Sequence, residues 1–209
     1  MIYLGEACGR KVRAMITDMN EPLGRAIGNA LEVKEAVDTL RGQGPADFTE
    51  LVLSSGANIL AEAGLTADKT EGRRKMEAVI ADGSALKKLK QMVRAQGGDA
   101  DQIEHPELLP KADFVTPVFS KERGYIRRAR ALELGRLAME IGAGRETKED
   151  VIHPETGIVL GKKTGDFVKS GDILAWVHHR GPLGEEWLER LYTAFEMSAE
   201  PVPEKQLIY

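Results

Sequence analysis

The stretch from Ile16 to Ala36, ITDMNEPLGRAIGNALEVKEA, joins an extended segment to a helix and decides the fold of the first half of the chain. Upstream of it, the alternating residues of Lys11 to Thr17 predict a buried strand with Val12 and Ile16 on its inward face. Asp18 to Gly24 contains Asn, Pro and Gly, which is typical of a loop. The apolar spacing that follows predicts an amphipathic helix ending near residue 42.

The first hundred residues continue as a series of predicted helices. Asp47 and Glu50 have the spacing of a capping box, which predicts the start of a second helix. Further helices are expected over 68–80 and from Ser84 onward, with glycines at their ends. One strand with several helices leaves apolar helix faces that need a partner surface. This half therefore reads as an incomplete α/β domain.

The second half of the chain has a different pattern, of short strands with glycine turns. The polar segment 99–111 contains two prolines and predicts a linker. After it, strands are expected at 114–119, 125–129, 157–160 and 173–178, with one helix at 132–141 and a last helix that carries Trp187 and Phe195 inward. The prediction is an α/β fold of two domains: residues 1–112, and a compact α+β domain over 113–209.

Composition excludes several classes of function. The formal net charge is −4, the isoelectric point is about 5.7, and acidic and basic residues are mixed along the chain. This balance argues against nucleic-acid and anionic-membrane partners, which bind clustered basic faces. The single cysteine, Cys8, allows no internal disulfide. No apolar run approaches the length of a membrane span, and no signal peptide is visible. We therefore expect a cytoplasmic protein.

Three residues around the loop have the composition of a hard-cation site. Leu23 and Ala26 are three apart, so their carbonyls can converge where the helix begins, and Glu35 lies about two and a half turns farther on. Carbonyl and carboxylate oxygens suit a hard cation with weak geometric demands. From spacing alone, Glu35 as an ordinary solvated helix residue is the favoured interpretation.

Two other motifs are weaker. Gly157 to Thr164, GIVLGKKT, superficially matches a phosphate-binding loop, but only three residues separate its glycines and a second lysine stands where Ser or Thr belongs. The paired Gly-Asp turns over 157–177 also suggest the hairpin of a lipoyl or biotinyl carrier, with Lys162 or Lys163 as the attachment residue. The flanking residues do not match a carrier tip, so a strand and a turn are the better interpretation.

The order of residues from Ile16 to Ala36 resembles a signature segment of the pyrimidine-nucleoside phosphorylases, the group that includes the thymidine phosphorylases. The resemblance runs from Tyr3 to Tyr209, and its more specific parts are Ala95–Asp99, Gly142–Arg145, Lys148–Asp150, Gly165–Asp166 and Gly171–Asp172. It implies the C-terminal half only: the end of the central phosphorylase domain, then a C-terminal domain of hammerhead or barrel-sandwich-like type. Met1 to Gly5 resembles the middle of a family helix that continues upstream.

The resemblance also implies chemistry. The family, a group of pentosyltransferases, cleaves a pyrimidine nucleoside with phosphate as co-substrate, giving the base and (deoxy)ribose 1-phosphate. It further implies that Leu23, Ala26 and Glu35 are ligands of a potassium ion, and that the complete enzyme is a homodimer. The family's phosphate loop and base-gripping residues have no counterpart here, so no catalytic or substrate-binding residue is assigned.

Two hypotheses follow for the chain itself. It is either the C-terminal part of such an enzyme, inactive alone, or a non-catalytic remnant or complementing subunit that binds a partner chain such as an N-terminal half. A reading frame encoding an N-terminal half just upstream favours the first.

Overall fold

The computed structural model describes all 209 residues, which form eight α-helices and seven strands. The helices are α1 (Ile2–Ala7), α2 (Asn29–Leu40), α3 (Ala46–Glu62), α4 (Lys69–Ala81), α5 (Ser84–Ala95), α6 (Asp101–Glu104), α7 (Ala131–Ala138) and α8 (Glu185–Thr193). The strands are β1 (Ala26–Ile27), β2 (Phe114–Phe119), β3 (Gly124–Ala129), β4 (Gly157–Leu160), β5 (Phe167–Val168), β6 (Ile173–His179) and β7 (Phe195–Ser198). A 3₁₀ turn over Pro106–Leu108 and a π-helical turn over Met139–Ala143 complete the regular structure.

The strands form two small antiparallel sheets. One sheet has the order β1-β4-β6-β2 and the other β5-β3-β7. Pro117 lies within β2, at an edge of the first sheet, where its missing N–H removes no interior ladder bond. Because β1 pairs with β4, the first sheet joins the loop and helix of the first half to the second half.

The main hydrophobic core belongs to the second half. Its fifteen buried residues all fall between Val118 and Phe195, and they include Ile126, Leu134 and Leu174, which are fully buried. The helices of the first half have fewer buried side chains, among them Val37 and Leu53. Mixed α/β structure with small antiparallel sheets is thus confirmed, whereas the division at residue 113 stays a prediction.

The expected buried strand at Lys11–Thr17 was wrong. Within it only Thr17 makes a strand-like pairing, an isolated bridge to Ile208, and the Ile16 side chain is 69 % exposed. The physical reason is that no strand pairs with residues 11–16; of their alternate apolar side chains, Val12 is half-buried near Gly5, while Ala14 and Ile16 are exposed. The segment is extended but not part of a sheet.

The expected capping box at Asp47 and Glu50 was also wrong. α3 starts after Pro45 without a side-chain cap, and Glu50 instead accepts hydrogen bonds from Arg73 at 2.8 Å. Asp47 turns back to the loop before β1, where it accepts the Gly24 amide at 3.1 Å. A tertiary contact has therefore replaced the local cap.

Two further boundaries differ from the sequence prediction. The segment 99–111 is not a bare linker, because it contains α6 and the 3₁₀ turn, and Arg41 donates to the Glu104 carbonyl at 2.6 Å. Phe195 is buried as predicted, but as the first residue of β7 rather than on the last helix. Among the helices, none combines the length and the apolar character needed to cross a membrane.

Candidate cation site

The loop before β1 makes a turn that only glycine adopts without strain. Gly24 has a φ of +69°, in the left-handed region, and it is buried. A Cβ at this position would lie 2.1 Å from Oε2 of Glu35. Gly24 is therefore required both by its backbone conformation and by the close approach of the Glu35 carboxylate.

Glu35 projects from α2 back onto this loop rather than into solvent. Its Oε1 accepts the backbone amide of Arg25 at 2.8 Å and that of Ala26 at 3.1 Å. Burial raises the pKa of the Glu35 carboxyl, and these two amide bonds and the nearby Lys163 offset only part of the rise. A half-buried carboxylate whose charge is incompletely compensated is a group that gains from a bound cation.

Asp47 and Lys163 hold the other side of the same loop. The Lys163 ammonium donates to the Pro22 carbonyl at 2.9 Å, to the Gly24 carbonyl at 2.8 Å and to Oδ2 of Asp47. Its three donors are thus all used. Burial of Asp47 opposes its ionisation, but the bond and charge of Lys163, together with the amide bonds of Phe48 and Gly24, leave the pKa of Asp47 below its ordinary value.

These bonds set the direction of the peptide groups that carry the predicted ligands. The Gly24 amide points to Asp47, so the carbonyl of Leu23, in the same trans peptide, points away from Asp47. In β1, the Arg25 carbonyl accepts the Leu160 amide at 2.8 Å, so the next residue, Ala26, directs its N–H and carbonyl away from β4.

The three predicted cation ligands are only partly brought together. Ala26 and Glu35 are in direct contact through the amide and carboxylate, and both line a cleft of about 580 Å³ between α2 and the first sheet. Leu23 is half-buried one residue before Gly24 and lines a different, smaller cavity with Asp18 and Lys205. No contact joins the Leu23 carbonyl directly to Glu35, so its part in the site stays a prediction.

The donor chemistry at the loop fits a monovalent cation. Two carboxylates, of Asp47 and Glu35, face one ammonium, of Lys163, in this contact network, which leaves one negative charge. The Arg25 guanidinium points elsewhere and donates to the carbonyls of Leu160 and Gly161. No cluster of three or more His, Cys, Asp or Glu side chains suited to a metal is present, so a cation here would rely on main-chain oxygens.

Sequence reasoning missed Asp47 and Lys163 as members of this site. Asp47 was assigned to a helix cap, and Lys163 was considered only as an attachment lysine. The one signal in the sequence was the tight loop itself, because its carbonyls need hydrogen-bond donors and no donor was identified nearby in the sequence. Lys163 comes from the turn after β4, more than a hundred residues away, so spacing cannot reveal it.

The alternative motifs in the second half are used structurally. Gly157–Leu160 is strand β4, and the Lys163 side chain is only 15 % exposed, with its amine in three contacts. Lys162 is the more accessible of the two, 29 % exposed, with its amine 3.9 Å from Asp172. The buried, bonded amine of Lys163 is a poor acceptor for a lipoyl or biotinyl group.

The chain is similar to known proteins in both of its halves. Residues 1–86 match the family model described as glycosyl transferase family, a/b domain, and residues 125–198 match the pyrimidine nucleoside phosphorylase C-terminal domain. A pyrimidine-nucleoside phosphorylase of Geobacillus stearothermophilus is 44 % identical over all 209 residues, which is 48 % of that protein. Proteins of the same name from Staphylococcus haemolyticus and Staphylococcus aureus are 42 % and 46 % identical over 96 % and 85 % of the chain, and 46 % and 41 % of their own lengths.

The chain thus spans about half the length of the curated relatives that it matches. The first family match includes the loop and α2, and the second includes most of the second sheet. On these matches, the chain belongs to the pyrimidine-nucleoside phosphorylase family and corresponds to its C-terminal portion.

Proposed function

We propose that the chain supplies the C-terminal part of a pyrimidine-nucleoside phosphorylase. The complete enzyme, a pentosyltransferase, would cleave uridine, thymidine or deoxyuridine with phosphate and release the base and (deoxy)ribose 1-phosphate. The names of the relatives support this activity, and so do the two family models that match in succession.

The role proposed for this chain is to hold a potassium ion at the loop before β1. The observation that carries the proposal is that the Glu35 carboxylate is folded back onto the amides of Arg25 and Ala26. The Glu35 carboxylate and the carbonyls of Ala26 and Leu23 would be its ligands from this chain. A bound potassium ion would supply positive charge that orders the loop, without taking part in bond cleavage.

These ligands are too few for a complete cation shell. Two carbonyls and one carboxylate leave a monovalent ion dependent on water or on oxygens from elsewhere in the enzyme. We therefore propose that the isolated chain binds potassium weakly and has no phosphorolysis activity, since no catalytic or nucleoside-binding residue was found in it.

A second candidate function is a non-catalytic subunit that binds a partner chain, and exposed apolar side chains are compatible with it. Large apolar side chains are exposed near the N-terminus: Tyr3, Leu4, Ile16 and Met19 are 81 %, 63 %, 69 % and 62 % exposed. A protein segment docked at this end of the chain would cover side chains of this kind. Either the remaining part of a phosphorylase or a separate complementing chain would cover these side chains.

Three further properties are proposed with the function. The core drawn from residues 118–195 supports a C-terminal domain over 113–209, although β1 connects it to the preceding domain over 1–112. We propose that the complete enzyme is a homodimer, as the resemblance implies. We also propose that it is cytoplasmic, in line with a single cysteine and no disulfide.

The test is an assay for phosphate-dependent release of uracil from uridine. The part of the Geobacillus stearothermophilus relative that precedes the matched region would be joined to Met1 of this chain, and the chain alone would be assayed beside it. The proposal expects activity of the joined protein, and none of the chain. A well-folded joined protein with no uracil release would favour the non-catalytic subunit, and activity of the chain alone would contradict both.

A further inference from the structure

Lys163 holds the predicted cation loop from the opposite side to Glu35. The peptide between Gly24 and Arg25 shows this clearly: its carbonyl accepts the Lys163 ammonium at 2.8 Å, and its N–H donates to Glu35 at 2.8 Å. One peptide group is thus fixed between an ammonium on one face and a carboxylate on the other. Its rotation would break a charge-assisted hydrogen bond on each side.

The preceding peptide is fixed through the same lysine. The Gly24 amide donates to Oδ2 of Asp47, and that same oxygen accepts the Lys163 ammonium. The plane of the Leu23–Gly24 peptide, and hence the direction of the Leu23 carbonyl, therefore depends on Asp47 being held by Lys163. The Pro22 carbonyl, bound at 2.9 Å, fixes the start of the turn.

The turn that carries Lys163 is itself docked on the loop. The Arg25 guanidinium donates to the carbonyls of Leu160 and Gly161 at 3.1 and 2.9 Å, and the Thr164 amide donates to Glu21 at 2.6 Å. Within the turn, the Lys163 amide donates to Asp166 at 2.8 Å. The lysine is thus presented by a fixed backbone rather than by a free surface loop.

We propose that Lys163 is a positioning residue for the cation site, through which the turn between β4 and β5 sets the direction of the loop carbonyls. The inference rests on the proposed function of the loop. Lys163 donates to the loop carbonyls and cannot be a cation ligand itself, because an ammonium has no acceptor. Its effect on catalysis would come only through the Leu23 and Ala26 carbonyls and Glu35.

The first test needs neither potassium nor substrate. Hydrogen exchange of the Gly24, Arg25 and Ala26 amides would be measured by NMR in the 209-residue chain and in Lys163→Met. Loss of the charged donor is expected to speed exchange of the Gly24 and Arg25 amides about ten- to a hundredfold, while β6 amides stay protected. Lys162→Met is the matched control, with exchange expected within about twofold of the parent.

The second variant guards against misfolding. If the amides of β6 lose their protection in Lys163→Met, the variant is misfolded and Asp47→Asn is measured instead. This variant keeps the side-chain shape and removes the charge that Lys163 pairs with. Faster exchange of the Arg25 amide, which Asp47 does not contact, supports the inference in Asp47→Asn. Unchanged exchange of Gly24 and Arg25 in a folded Lys163→Met, or unchanged exchange of Arg25 in Asp47→Asn where that variant decides, overturns it.

The second readout separates positioning from general stability. In the joined enzyme, Lys163→Met should raise the potassium concentration for half-maximal activity at least about tenfold, with Lys163→Arg restoring much of it because a cation is retained. An equal potassium requirement in parent and Lys163→Met overturns the inference. If the joined enzyme has no activity, the proposed function fails, while the exchange result still decides the role of Lys163 in the loop.

Discussion

Replacement of Gly24 by alanine tests whether the loop and Glu35 are packed as described. Gly24 has a φ of +69°, and a non-glycine residue in this region costs about 1–2 kcal/mol. The new Cβ would also lie 2.1 Å from Oε2 of Glu35, so the carboxylate must leave its place. Its two bonds, to the amides of Arg25 and Ala26, would be lost.

The matched control is Gly42→Ala. Gly42 has a φ of +76°, and a Cβ there would meet nothing within 4 Å, so this variant carries the backbone cost alone. Hydrogen bonds to a charged group contribute about 1.5–3 kcal/mol each, but a displaced Glu35 regains water. We therefore expect Gly24→Ala to lower the free energy of unfolding by about 2 kcal/mol more than Gly42→Ala.

The assay is urea denaturation of both variants and the parent, followed by tryptophan fluorescence and circular dichroism at neutral pH. Circular dichroism before denaturation checks that each variant is folded. Equal losses in the two variants, within about 0.5 kcal/mol, would refute the contact between Gly24 and Glu35. A larger loss in Gly42→Ala would refute it as well.

Three other outcomes are expected. Since burial raises the pKa of Glu35, its protonation stabilises the native state below the ordinary pKa of 4.5, and this contribution is lost as pH rises through the native pKa. Glu35→Gln should therefore flatten the decline of the unfolding free energy with pH in urea titrations above pH 4.5, and an unchanged pH dependence would count against burial of this carboxyl. Leu174→Ala should lower the free energy of unfolding by about 2–5 kcal/mol, against less than about 0.5 for the exposed Leu132→Ala, and similar losses would contradict the core assignment. Trypsin should cut first in the exposed segment 145–152, which has no regular secondary structure, rather than in 99–111, where α6 is formed. Mass spectrometry of the first fragments would show the reverse order if α6 were not formed.

Local pattern predicted most of the elements in the second half. Strands β2, β3, β4 and β6 were found within one residue, because glycine turns and alternating apolar residues specify both ends of a short strand. The helix expected over 68–80 is α4, within one residue at each end, and the Asp68 side chain caps it by accepting the Glu71 amide at 2.8 Å. In these cases the local signal and the tertiary fold agree.

The failures have a common physical cause, since each depended on a partner far away in sequence. Residues 11–16 have the alternation of a strand, but no strand lies beside them. Asp47 has the spacing of a cap, but the Gly24 amide and the Lys163 ammonium offer it stronger partners. Local propensity cannot anticipate bonds that span tens of residues or more.

At the predicted cation site, too, the features that depend on residues distant in sequence were the ones not predicted. Spacing alone favoured Glu35 as a solvated helix residue, whereas its carboxylate in fact folds back onto the loop and accepts the Ala26 amide at 3.1 Å. The direction of the Leu23 carbonyl was not predictable, because it depends on Asp47 and on a lysine from the turn after β4. The ligand set remains what the resemblance implies, and the contacts of Asp47 and Lys163 fix the loop that carries Leu23.

The most direct test of the cation site is anomalous diffraction from the joined enzyme crystallised with rubidium in place of potassium. The account predicts one rubidium peak at the loop before β1, in contact with the Glu35 carboxylate and the carbonyls of Leu23 and Ala26, and no such peak in Glu35→Gln. Absence of a peak at this loop in the parent, or an equal peak in Glu35→Gln, would contradict it.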